Sequence, residues 1–266
     1  MGEIVGAFAT SHVLFGSPEG DDQALRVVAG LNEIGTQVRA LKPDLIVVIG
    51  SDHLFNITTR LQPPFTVGVA DSFTPFGDMD IEQRPFAGHR AFATALCARA
   101  ADDFDLAQAE EFRPDHGVMV PLMFVDPDGT TPVVPLLVNV NMSPPPTAQR
   151  CAKLGRVIKA AVEHDLPAEA RVVILATGGL SHWINMPGHG QVNEDFDREV
   201  LAGFVAGDTT LEGISTEELL DKAGNGGLEI VNWILAAAAV PGRRARQIYY
   251  EPMPHWMTGM GGIAFE

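Results

Sequence analysis

The sequence predicts an α/β protein, a single three-layer domain in which a central mixed β-sheet carries helices on both faces. Two patterns predict it. Short apolar runs rich in β-branched residues recur along the chain, and most segments between them repeat apolar residues every three or four positions. No shift in composition and no internal repeat divides the chain, so residues 1–266 read as one domain.

The elements follow in order. Ile4–Ala9 reads as a buried strand, and Asp22–Leu41 as a helix whose Leu25, Val28, Leu31, Ile34, Val38 and Leu41 share one face. Leu45–Gly50 and Phe65–Ala70 read as further buried strands. The segment 71–85, rich in Asp, Gly and Pro, reads as a loop before a helix at Phe86–Ala101. Pro132–Val140 is a strand, and the turn "SPPP" introduces a helix at Thr147–His164 with Cys151, Leu154, Val157, Ile158 and Ala161 on one side. Arg171–Ala176 completes the buried strands. Asn193–Val205 and Gly227–Val240 are helical, and the Gly-rich tail Gly261–Phe265 is extended.

The totals exclude some functions. Hydrophobic residues make up 46% and charged ones 20%, a globular composition, and the formal charge is −16 from 18 basic and 34 acidic residues. With no basic run, a nucleic-acid backbone or an anionic membrane is repelled on average. The start "MGEIVGAFATSH" lacks a basic segment followed by an apolar one, and no run reaches the roughly 18 apolar residues of a membrane span, so a cytoplasmic location is expected. Cys97 and Cys151 lie inside apolar periodic stretches and read as buried thiols, neither disulfide partners nor metal ligands.

Four of the eight histidines fall where chemistry collects in such folds, beyond strand ends and at helix starts. "GAFATSH" puts His12 past the first strand, "VVIGSDH" puts His53 past the second, and "VILATGGLSH" puts His182 past another. "RPDHGVMVPLMF" puts His116 at a helix start. Imidazole is the commonest metal ligand and titrates near neutrality, so such a cluster can bind a metal and still leave members to move protons. Two histidines need a further ligand, and Asp52, Asp115, Glu194, Asp195 and Glu229 are the candidates. Asp52 and His53, adjacent on an extended segment, point to opposite sides. Asp115 has a second reading as a helix cap, and Glu229 has one as an acid favoured by the dipole of the helix it opens. Spacing leaves that choice open. Nucleotide-binding glycine motifs and H-E-x-x-H are absent, and "GGLSH" is no nucleophile elbow because Trp183 follows His182 where a glycine belongs.

Taken together, "TSH" at 10–12, "SDH" at 51–53, "PDHGVMVPL" at 114–122, "ATGGLSHWINMPGHGQVNEDFD" at 176–197 and "GNGGLEIVNWILAAAA" at 224–239 resemble the class III extradiol ring-cleavage dioxygenases, the superfamily of the protocatechuate 4,5-dioxygenase catalytic subunit. The resemblance runs in order to the "MGGIAF" tail and so covers essentially the whole chain, as one catalytic domain. It implies a non-haem Fe(II) held by His12, His53 and Glu229, with His182 as acid/base residue and His116 lining the pocket near the substrate hydroxyl and oxygen. The implied substrates are O₂ and a catechol or 2-aminophenol.

The sequence departs from the protocatechuate enzymes near the C-terminus. There "PHWMTGMGG" places Trp256 and Met257, beside His255, where a small polar pair would grip a ring carboxylate. An indole and a thioether offer apolar surface instead, which favours an apolar or differently placed substituent, although His255, Arg84 or Arg113 can still meet an acid group. No extra helical module is present, which implies a homo-oligomer or a complex with a small accessory subunit. A zinc-dependent hydrolase using the same ligands is the alternative reading.

Overall fold

A strand that is apolar at successive positions must be covered on both faces, and the structure, a computed structural model describing residues 1–16 and 18–266, shows how this is done. The strands are β1 (Glu3–Thr10), β2 (Leu45–Gly50), β3 (Phe65–Gly68), β4 (Ser72–Phe73), β5 (Phe86–Ala87), β6 (Ala107–Ala109), β7 (Val133–Val138), β8 (Arg171–Thr177), β9 (Ala245–Met253) and β10 (Thr258–Phe265). The helices are α1 (Asp22–Leu41), α2 (Arg90–Ala100), α3 (His116–Val125), α4 (Ala148–Asp165), α5 (Glu194–Ala206), α6 (Thr216–Ala223) and α7 (Ile230–Ala239).

Eight strands form the main sheet in the order β6-β3-β7-β2-β8-β1-β10-β9. The sheet is mixed: β2 runs parallel to β7 and β8, and β8 parallel to β1, while β10 is antiparallel to β1 and β9. Side-chain alternation splits the core in two. Leu45, Val47 and Ile49 of β2 face the layer built from α2, α4, α5 and α7, whereas Ile46 and Val48 face the layer of α1 and α3. The expected single three-layer α/β domain is therefore what the chain forms.

Most boundaries agree with the periodicity, and the differences have local causes. The helix expected at Phe86–Ala101 starts at Arg90, because His89 caps it by accepting the Phe92 N–H while Phe86–Ala87 pairs with Ser72–Phe73 as a short hairpin. The loop 71–85 thus carries β4 and one 3-10 turn at Asp78–Asp80. The tail strand begins at Thr258, earlier than expected, because β9 pairs with its whole length. Cys97 and Cys151 are free and buried, and burial raises both thiols, Cys97 to about 11. Among the described residues, no helix is long and apolar enough to cross a membrane.

The parallel trio β2-β8-β1 matters most for the site. In register, Thr10 lies beside Thr177 and Ile49 beside Ala176, so three strands end together on one edge of the sheet. The segments carrying His12, His53 and His182 leave from that edge.

Candidate active site

His53 and His116 are each held by a carboxylate that bonds both backbone N–H and ring. After β2, the Asp52 carboxylate accepts the Asn56 and Ile57 N–H groups at 3.0 and 2.9 Å, closing the loop. The Asn141 amide holds the Asp52 carbonyl at 2.7 Å. His53 is then fixed by Asp115, whose Oδ2 accepts the His53 backbone N–H at 2.8 Å and lies 3.1 Å from its Nδ1. The other Asp115 oxygen caps α3 through the Gly117 N–H at 2.9 Å, so one carboxylate both starts a helix and orients an imidazole.

His116, the first residue of α3, meets Asp78 in the same way: backbone N–H to Oδ1 at 3.1 Å and ring Nδ1 to Oδ2 at 2.5 Å. An ionised carboxylate only accepts, so Nδ1–H donates in both pairs and Nε2 of each ring is left for other partners. His12, His53 and His116 have ligand atoms all within 4.8 Å of one another, with ring centroids 4.0 to 5.4 Å apart.

The carboxylate comes from the opposite side of the sheet edge. Glu229 precedes α7, and its Oε2 lies 4.0 Å from His12 Nε2 and accepts the Gly179 N–H at 3.0 Å. The next turn of α7 locks this approach: Asn232 donates to the Thr177 carbonyl at 2.9 Å and Trp233 Nε1 to the Gly178 carbonyl at 3.0 Å. Gly178 has φ +103, and a Cβ there would sit 2.6 Å from the Glu229 carboxyl carbon. Gly178→Ala is therefore expected to destabilise the fold by about 1–3 kcal/mol from backbone strain alone, measured by urea unfolding.

His182 lies on the same edge but outside the trio. Its Nδ1 donates to the Leu180 carbonyl at 2.8 Å, which leaves Nε2 as the basic atom. Gly226 packs against that atom, where a Cβ would lie 1.9 Å away, so only glycine fits.

Burial and charge differentiate the imidazoles. Burial, reinforced by the neighbouring histidines, holds His12 well below the ordinary histidine range. Burial opposes charge on His53 too, but the Asp115 carboxylate outweighs it and raises His53 to about 9. The same pairing keeps Asp115 below the usual carboxylate range against its own burial. Burial lowers His182, only partly offset by Glu229 and the Leu180 carbonyl, so its imidazole is neutral at neutral pH.

Of the other candidates, Glu194 pairs with Arg198 at 2.7 Å on the surface, and Asp195 stands with it in the first turn of α5. His255 is half-exposed and binds Asp21 at 2.7 Å. Trp256 is buried in the core layer of α1 and α3, while Met257, at φ +61, packs near Gly190 in the segment following His182. Arg84 donates to the Pro127 carbonyl; Arg113 donates to the Pro75 and Phe76 carbonyls and stacks over Phe76 at 5.2 Å. Two acids absent from the sequence-based candidates are prominent: Asp78, behind His116, and the buried Asp197, behind Ser181. Asp197 was legible, since Phe196, Asp197, Val200, Leu201 and Phe204 fall on the buried face of α5.

Comparison with known proteins gives the family. Residues 6–261 match the profile of LigB, the "catalytic LigB subunit of aromatic ring-opening dioxygenase". The chain is 28% identical to a 2,3-dihydroxyphenylpropionate/2,3-dihydroxicinnamic acid 1,2-dioxygenase of Photorhabdus laumondii subsp. laumondii, over 94% of this chain and 92% of that one. It is 32% identical to the gallate dioxygenase of Pseudomonas putida over 68% of this chain and 54% of the other. In fold it is similar to the crystal structure of an uncharacterized protein from Escherichia coli K12, with a TM-score of 0.64, 17% identity and coverage of 98% and 99% of the two chains. Strand-end histidines meeting on one sheet edge, with a match that runs almost from end to end, place the chain in the LigB family, the catalytic subunits of aromatic ring-opening dioxygenases.

Proposed function

We propose that this ring-cleaving dioxygenase is Fe(II)-dependent and opens a substituted catechol or 2-aminophenol by extradiol cleavage, with His12, His53 and Glu229 as metal ligands. One observation carries the ligand choice. Among the described residues, five buried side-chain polar atoms have no hydrogen-bond partner, and Glu229 Oε1 is one of them. A buried carboxylate oxygen left without a partner costs stability, and a divalent cation between Glu229 and His12, whose Nε2 lies 4.0 Å from Glu229 Oε2, would supply it. Two imidazoles and one carboxylate suit non-haem Fe(II) and leave positions for two further ligands.

Fe(II), when bound, supplies the redox chemistry and open coordination positions through which O₂ and the ring react. The rest falls to the chain. His182, neutral and buried with Nε2 free, accepts the proton a catechol hydroxyl loses on binding and returns it later as an acid. His116, held through Nδ1 by Asp78, presents Nε2 beside the other imidazoles as a donor or acceptor to the substrate oxygens. Asp115 fixes the ring plane of His53, the usual task of a carboxylate behind a ligating histidine.

Exposed apolar residues next to the site residues in sequence favour an aromatic ring with an apolar substituent. Phe15, Leu54, Phe55, Met79 and Ile184 are exposed apolar residues within three positions of His12, His53, Asp78 or His182. The relatives named for dihydroxyphenylpropionate and gallate support neighbouring ring hydroxyls. We read Met257 as a lining residue beside the His182 loop, and Trp256 and His255 as supporting it from behind. A homo-oligomer, or a complex with a small accessory subunit, completes this reading.

Anaerobically iron-loaded protein is expected to consume O₂ with a panel of 3- and 4-substituted catechols and 2-aminophenols, giving yellow ring-opened products, while zinc-loaded protein consumes none. Full iron occupancy with no uptake across the panel would remove the proposal.

A further inference from the structure

We infer that Asp197 is a positioning residue for His182, acting through a single peptide plane; the inference rests on the reading of His182 given above. Asp197 is completely buried, and the donors that meet its carboxylate are neutral. Its Oδ1 accepts the Ser181 backbone N–H at 2.8 Å, and its Oδ2 accepts the Ser181 and Tyr250 hydroxyls, both at 2.9 Å.

The Ser181 N–H can only donate, and with both hydroxyls donating as well, an ionised carboxylate satisfies all three. Burying a carboxylate without a cation is costly, and burial pushes Asp197 up to about 6 despite those bonds. A purely structural junction has cheaper solutions, so the position of these donors matters.

The Ser181 N–H and the Leu180 carbonyl belong to one planar peptide unit. Asp197 grips its N–H end, and the carbonyl end accepts the His182 Nδ1 proton at 2.8 Å. Fixing one end fixes the other, and the two bonds polarise the peptide in the same sense. The flanking contacts hold the plane from its other sides. Leu180 N–H donates to the Gly259 carbonyl at 3.0 Å, Gly259 N–H to the Ser181 carbonyl at 2.9 Å, and Asn193 N–H to Ser181 Oγ at 2.8 Å. Asp197 thereby keeps His182 in the Nδ1–H tautomer, with Nε2 basic and packed against Gly226.

The test reads the tautomer directly by nitrogen-15 NMR of histidine-labelled, zinc-loaded full-length protein, with His182 assigned from a His182→Gln control. Wild type and Asp197→Asn, whose side-chain oxygen still accepts the Ser181 N–H, are expected to hold the Nδ1–H form; Asp197→Ala is expected to show a mixture. In iron-loaded protein, kcat should fall about 100-fold in Asp197→Ala and less than about tenfold in Asp197→Asn, with KM and metal content unchanged. An Nε2–H tautomer in wild type, or an unaltered tautomer in folded Asp197→Ala, overturns the inference; the wild-type result decides even if the alanine variant does not fold. A shifted tautomer with wild-type kcat would support the positioning role and instead count against His182 as acid/base.

Discussion

Glu229→Ala is expected to remove iron retention and ring opening together. Among the described residues, Glu229 is the one carboxylate within 4.0 Å of a His12 ring nitrogen, it is buried, and one of its oxygens has no partner of its own. Losing an outer partner of a metal ligand already costs about 10–100-fold in affinity, and losing a ligand costs more, so metal per chain after desalting should fall to background. The fold should survive, because alanine at the start of α7 leaves Asn232 and Trp233 anchored to the Thr177 and Gly178 carbonyls. His116→Ala discriminates between ligand sets: the three histidines alone could enclose an ion, so iron retained in His116→Ala and lost in Glu229→Ala identifies the carboxylate as the ligand.

His182→Gln is expected to leave metal content at the wild-type level and lower kcat by about 10²–10⁴-fold, the usual range for a positioned general acid or base. Glutamine keeps the volume and a hydrogen-bonding end but has no atom that titrates near neutrality. Because burial holds His182 below the ordinary histidine range, the unprotonated base persists as pH falls below neutrality. The wild-type activity attributable to this base is therefore lost only on further acidification, and the variant should lack that acid limb. Metal analysis with oxygen-uptake kinetics across pH separates the two substitutions: one empties the site, the other slows a filled one.

Much of this was legible in the sequence, for definite reasons. Strand ends could be read because apolar β-branched runs stop abruptly at "TSH", "SDH" and "GGLSH", and a polar residue at such an edge has few roles. That β2, β8 and β1 lie side by side could not be read, since their order depends on crossovers between segments more than a hundred residues apart. Glu229 was ambiguous because an acid opening a helix satisfies the dipole whether or not it also faces a metal. Asp78 was hidden in an aperiodic Asp/Gly/Pro loop, and its bond to His116 exists only once that loop folds against the start of α3. Helix α6 was missed although Ser215, Glu217, Glu218 and Lys222 carry helix-start and helix-end chemistry, because the segment has few apolar positions. Strand β9 was missed because its exposed and buried residues do not alternate cleanly.

The most direct measurement is a crystal structure of anaerobically iron-loaded protein with a bound catechol, with iron located by its anomalous scattering. The expected result is one iron per chain bonded to His12, His53 and Glu229 at about 2.0–2.2 Å, with the ring oxygens on the open side facing His182. Iron bonded to the three histidines with Glu229 free, or no iron between these side chains at full loading, would contradict it.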